Sequence, residues 1–100
     1  MTDDIIKMNY AEMEEMSNIF KKAGQDLEDL KKNMQKLADV IDGGGLIGDA
    51  GTAFSSGIRQ ELCTAIDKLS AKMKELSTDI WGAKEFIEHG DQEAQSRFKN

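Results

Sequence analysis

Apolar residues return at intervals of three and four in two long runs with one break between them. The first run is Met13, Met16, Phe20, Ala23, Leu27, Leu30, Met34, Leu37 and Ile41. The second is Phe54, Ile58, Leu62, Ile66, Leu69, Met73, Leu76, Ile80, Ala83 and Ile87, alternating four and three from Leu62 onward. This is the heptad rhythm of helices that pack along a narrow edge. It predicts one helix over about 9–42 and a second over about 51–89. Asn9 is placed to cap the first, with Glu12 three residues on, as in a capping box, and Met8 and Met13 where a hydrophobic staple would put them. The chain contains no proline, the commonest interruption of a long helix.

The break reads Asp42-Gly43-Gly44-Gly45-Leu46-Ile47-Gly48-Asp49-Ala50-Gly51. Three successive glycines lower helix propensity and permit positive φ, so the first helix is expected to end here. Asp49 is a candidate N-cap for the second. Leu46 and Ile47 argue for an ordered bend over about 43–50 rather than a solvated linker. Two matched seams joined by a short bend predict an all-α fold, a single antiparallel helix-turn-helix hairpin over 1–100. The residues expected to pack the helices are Met16, Phe20, Leu27, Leu30, Met34, Leu37 and Ile41 against Ile58, Leu62, Ile66, Leu69, Met73, Leu76 and Ile80. Ile19, Ala38, Val40, Cys63, Ala65, Trp81 and Phe86 flank these stripes, and a lone hairpin would leave several of them wet. A second hairpin would cover them by closing a four-helix bundle. Gly24 and Gly57, inside the helices, mark either a close approach or tolerated positions.

Composition narrows the function. One hundred residues make one domain with a limited core of its own. The net charge of −6 and the lack of any basic stretch exclude nucleic acid as a partner. A lone Cys63 forms no internal disulfide; it reads as a small semi-buried hydrophobe, with an intermolecular bridge as the alternative. No stretch of eighteen apolar residues can span a membrane, and the acidic start Met1-Thr2-Asp3-Asp4-Ile5-Ile6-Lys7 lacks the apolar run of a cleavable signal peptide. Any export is therefore expected by a route that does not read one.

Catalytic chemistry finds no support. His89 stands alone among Glu85, Glu88 and Asp91 and reads as a solvated side chain; Ser55 and Ser56 have no base within sequence reach. The glycines of the break lack the lysine of a phosphate loop. No enzyme, cofactor or metal is expected.

At the C-terminus Ile87, Asp91, Ala94 and Phe98 are spaced four, three and four apart. They share one face if the second helix continues past Gly90; alternatively Gly90 ends the helix and Asp91 caps a short further turn.

Bend, length and tail together resemble the WXG family, the ESAT-like helical hairpins of the type VII (ESX) secretion systems of actinobacteria and Gram-positive bacteria. The resemblance covers nearly the whole chain. Gly51-Thr52-Ala53-Phe54 matches the family's glycine and the small and aromatic residues after it, while Asp49 stands where the family's Trp-x-Gly has its tryptophan. Leu46-Ile47-Gly48 supplies a Leu-x-Gly just upstream, so the bend motif comprises Leu46, Gly48, Asp49, Gly51 and Phe54, with Leu46 or Ile47 expected in the tryptophan's groove. The tail over about 87–100 fits the family's C-terminal export pattern, with Ile87, Asp91, Ala94 and Phe98 at its four positions. Trp81 and Glu85 have the spacing of the family's other export motif, an aromatic four residues before an acid, but fall inside the second helix.

The resemblance implies a non-enzymatic protein secreted from the cytoplasm of such a cell. Its expected partners are a second copy or a related hairpin and the type VII secretion ATPase. One alternative is a dedicated partner or targeting factor for a larger Leu-x-Gly toxin. An alternative of another class is an intracellular coiled-coil adaptor unconnected with export, since heptads alone establish only helix association.

Overall fold

The computed structural model describes residues 9–98, with side chains described through position 94. The expected hairpin is present: two long helices run antiparallel, no strand occurs among the described residues, and the molecule measures 77 × 23 × 16 Å. Helix α1 spans Tyr10–Val40. Its N-cap is Asn9, whose side-chain oxygen accepts a hydrogen bond from the Glu12 amide at 2.8 Å. Met8, the other half of the expected staple, lies outside the described residues.

The chain leaves α1 through a wide π-type turn at Ile41–Gly45 and turns back at Gly44 and Gly48, with φ of 110° and 86°. Those angles lie in the left-handed region that favours glycine, which is why the break is glycine-rich. Gly51 is needed for a different reason, because a Cβ there would fall 2.1 Å from the Leu46 carbonyl oxygen. Helix α2 spans Asp49–Gly57. The expected cap is corrected. Gly48 is the N-cap and Asp49 the first helical residue, because the Gly48 carbonyl already accepts the Thr52 amide at 3.2 Å. Asp49 still lies at the positive end of the helix dipole.

A π-helical segment, Ile58–Leu62, joins α2 to α3, Cys63–Phe98. It makes the second arm one rod with an extra residue in its register. The Cys63 amide bonds to the Ile58 carbonyl, five residues back. Buried positions follow suit: Gly51, Ser55 and Ile58 are spaced four and three, the next step to Cys63 is five, and Ile66 and Ser70 then resume three and four. A plain heptad has no such step, and it aligns Phe54 and Leu62 with Ile58; both point away from the core.

The inner seam lies one line over from the expected one. If the α1 positions Ser17, Gly24, Lys31 and Ala38 are called a, then Met13, Phe20, Leu27, Met34 and Ile41 are d, and Met16, Ala23, Leu30 and Leu37 are g. On α3 the a line is Cys63, Ser70, Ser77 and Lys84, the d line is Ile66, Met73, Ile80 and Ile87, and the g line is Leu62, Leu69, Leu76 and Ala83. The apolar stripes of the sequence are d and g, whereas the helices meet on a and d. The a lines abut. Ser17 Oγ donates to the Ser77 carbonyl at 2.8 Å and lies 3.0 Å from Ser77 Oγ, and Ser70 Oγ donates to the Gly24 carbonyl at 2.8 Å. Gly24 does mark a close approach, since a Cβ there would sit 3.0 Å from Lys74 Cγ; Gly57 has open space around it.

The apolar core sits toward the bend, where Ala38, Ile41, Ile58 and Cys63 form a buried cluster with Met34 against it. Arg59 ties this end shut, its Nη2 reaching Asp39 at 2.6 Å and Asp42 at 3.0 Å. The Ser55 hydroxyl and then Arg59 hold the Asp42 carboxyl below its ordinary range.

Candidate functional site

The two broad faces of the hairpin differ in kind. One is crossed by ion pairs: Lys84 to Glu14 at 2.8 Å, Lys31 to Asp67 at 2.8 Å, and Lys74 to Glu28. All three engage the e side of α1 or α3, next to the a line. In an antiparallel pair the e sides of both helices fall on one face and the g sides on the other, so these pairs fix the g lines together on the opposite face.

That opposite face is apolar and open. Met16, Leu30 and Leu37 of α1 and Leu62 and Leu69 of the second arm are all exposed on it, with Phe54 (57% exposed) continuing the line across the π segment. Ile19, Val40 and Phe86, at the neighbouring c positions, widen it at both ends and are more exposed still. The d-line residues Phe20, Leu27, Met34, Met73 and Ile80, and Leu76 of the g line, are half-buried between this face and the inner seam; Ile41, Ile58 and Ile66 are buried. Of the residues expected to flank the stripes, Ala38 and Cys63 turn inward, and Ile19, Val40, Ala65, Trp81 and Phe86 are exposed. A hollow of about 300 Å³ beside the π segment is lined by Ala53, Phe54, Gly57, Ile58 and Leu62.

At the bend, Leu46 and Ile47 are exposed, Ile47 by 85%, so neither fills a groove within this hairpin. Leu46, Gly48 and Gly51 border a shallow hollow of about 190 Å³.

The tail is a helix. α3 passes through Gly90 without a break to Phe98, which places Ile87, Asp91 and Ala94 along the same a/d edge that α3 turns toward α1 lower down. Ile87, Asp91 and Ala94 are exposed, and the Phe98 side chain lies outside the described positions. The Asp91 carboxylate is engaged within the chain, accepting a hydrogen bond from the Tyr10 hydroxyl. That bond, with burial and the Asp91 charge adding to it, pushes the Tyr10 phenol up to about 12. Trp81 and Glu85 are occupied with each other: Trp81 Nε1 donates to Glu85 at 2.6 Å, and Lys84 Nζ stands 4.6 Å from the ring centroid. They flank the ion-pair face, where Trp81 walls a groove of about 660 Å³ with Asn18, Lys21, Gln25 and Thr78. Lys84 is buried as a positive charge, and hydrogen bonds to Glu14 and Glu88 raise its pKa.

A family model described as "Proteins of 100 residues with WXG" matches residues 5–92. The chain belongs to the WXG100 family. It is thereby one of the small helical proteins associated with type VII secretion, a family not known for enzymes. The match takes in both arms and the bend and ends before Ala94 and Phe98. Comparison with curated proteins and with solved structures found no match. Among the described residues no helix is long and apolar enough to cross a membrane.

Two features of this WXG100 hairpin escape sequence reasoning. Tyr10 is one, because a contact between residues 81 positions apart leaves no local mark. The inner line is the other, although its signal is present, since Ser17, Gly24 and Ala38, like Cys63, Ser70, Ser77 and Lys84, recur at multiples of seven.

Proposed function

We propose that this WXG100 protein is a non-enzymatic substrate or co-secreted partner of a type VII system, exported as a folded helical dimer. The observation that carries the reading is the segregation of its two faces. The hairpin satisfies its polar groups on one side and leaves a rod-long apolar stripe uncovered on the other. Exposed apolar patches of that extent are sites of association. The inner seam is thin, with Met13, Ala38, Ile41, Ile58, Cys63 and Ile66 as the buried apolar side chains among the described residues. A second hairpin laid on the d and g lines would complete a four-helix bundle.

The tail then serves as the export signal. A helical Ile87–Phe98 edge offers a small apolar footprint with one acid in it, chemistry suited to a groove on the secretion ATPase. A larger Leu-x-Gly toxin carrying its own helical hairpin would satisfy the same apolar face, and the Asp49 bend favours such a partner role over that of a central family member.

Solution mass and export test the two halves. Light scattering at micromolar concentration is expected to give twice the 11.1 kDa chain mass, or a stable complex with a co-expressed hairpin. In the native host, a chain ending at Glu88 should be folded and retained in cells. A monomer that gains no partner refutes the bundle, and normal release of the shortened chain refutes the signal.

A further inference from the structure

Gly90 is a weak joint in α3. Glycine is the poorest helix former after proline, and nothing lies within 4 Å of where a Cβ at Gly90 would stand, so packing does not compensate. Side chains around and beyond it bring little burial: Phe86 is 82% exposed, and His89, Gln92 and Ala94 are exposed. Lys84, six residues before the joint, pairs with Glu14 of α1 and with Glu88. A long-range contact bridges the joint. Tyr10, in the first turn of α1, donates to Asp91, the residue directly after Gly90. Its own position is fixed, since Asn9 caps that turn and the Met13 amide bonds to the Asn9 carbonyl at 3.2 Å. The a-line rung opposite Tyr10 is Lys84. A tyrosine leaning toward its own N-terminus reaches past that rung to the next a position, Asp91.

We propose that Tyr10 is the positioning residue of the tail, pinning α3 across Gly90 so that Ile87, Asp91 and Ala94 share one continuous helical edge. Its consequence for export rests on the reading of the tail as a signal; the pinning itself does not. The phenol is suited to the task, because a tyrosine hydroxyl keeps its donor proton throughout the physiological range. A recognition edge held in its bound shape costs less ordering when a receptor engages it.

Hydrogen exchange on the full chain tests the pin in three proteins: wild type, Tyr10→Phe, and Tyr10→Phe with Gly90→Ala. The loss of one hydrogen bond is expected to speed exchange of the amides after Gly90 by about fivefold, with those of 63–84 unchanged. Adding Gly90→Ala should restore wild-type rates, since alanine strengthens the joint without touching a neighbour. Tyr10 is the only tyrosine, so its ultraviolet titration is a second readout. The midpoint is expected at about 12 in wild type and lower in Asp91→Asn, because the bond to the Asp91 carboxylate is the largest cause of the shift. Unchanged exchange in Tyr10→Phe, or a wild-type midpoint near 10, overturns the proposal. In the native host Tyr10→Phe should lower release into the medium and Gly90→Ala should recover it; a loosened tail with unchanged release overturns the positioning role. If a chain ending at Glu88 is released normally, it is the export reading that fails, and the exchange rates still decide the pin.

Discussion

Leu69 and Ile66 stand one turn apart on α3, and replacing each with aspartate separates the two surfaces of the hairpin. Ile66 is 6% exposed in the inner seam, whereas Leu69 is 48% exposed on the open face. A fully buried leucine contributes about 1.5 to 3 kcal/mol, so roughly half, ~1 kcal/mol per copy, remains to be gained when a second hairpin covers the face. In a symmetric dimer that doubles to ~2 kcal/mol. Leu69→Asp forfeits it and also asks two carboxylates to enter an apolar interface, a cost of at least ~2 kcal/mol more. The sum of ~4 kcal/mol corresponds to a Kd weakened by about three orders of magnitude. Light scattering should show the Leu69→Asp mass fall to 11.1 kDa, while circular dichroism keeps its helical signal, because the a-line hydrogen bonds and the ion-pair face are untouched. Ile66→Asp buries the charge inside the hairpin and should lose helicity. A Leu69→Asp protein that retains the dimer mass, or that unfolds as fully as Ile66→Asp, would refute the assignment of the g line to the outside.

Local geometry yields two more predictions. Gly90→Ala and Gly57→Ala, with open space around each Cβ position, should each stabilise the protein by up to about 1 kcal/mol; Gly51→Ala, aimed 2.1 Å from the Leu46 carbonyl oxygen, should destabilise it by about 2 kcal/mol or more in thermal melts. Asp42 titrates below its ordinary value through Ser55 and Arg59, so its contribution is full above about pH 4 and is lost as pH falls through its depressed pKa; the acid limb of helicity against pH should be shallower in Asp42→Asn, and an unaltered limb would show that the clip at the bend carries no stability.

Much of the fold is legible in the sequence because apolar spacing and glycine placement are local. The two stripes, the Asn9 cap and the bend at Gly43–Gly45 can be read directly. What the stripes cannot say is which neighbour covers them. A heptad with apolar d and g lines is satisfied equally by an internal or an external partner, and the choice is made by Ser17, Gly24, Ser70 and Ser77, small residues that let two backbones close up, with the Ser17 and Ser70 hydroxyls donating to carbonyls of the facing helix. Hydrophobicity scoring passes over such residues. The π segment at Ile58–Leu62 is hidden for a related reason, since one residue of slippage leaves Phe54, Ile58 and Leu62 apolar while turning two of them outward. At the tail, Gly90 weakens a helix without dictating where it stops, and its tether lies at the far end of the chain, in Tyr10.

On the export reading, a folded hairpin leaves the cell on the strength of its tail. The most direct test of that reading is the distribution of wild type and Asp91→Ala between cells and medium in the native host, with the melting temperature of each purified protein measured alongside. Asp91 is exposed and beyond the inner seam, so losing its bond to Tyr10 should loosen only the residues after Gly90, and the two should melt nearly together. Wild type is expected in the medium, and an equally folded Asp91→Ala inside the cell. Release of both at equal levels, or retention of both, would contradict that reading.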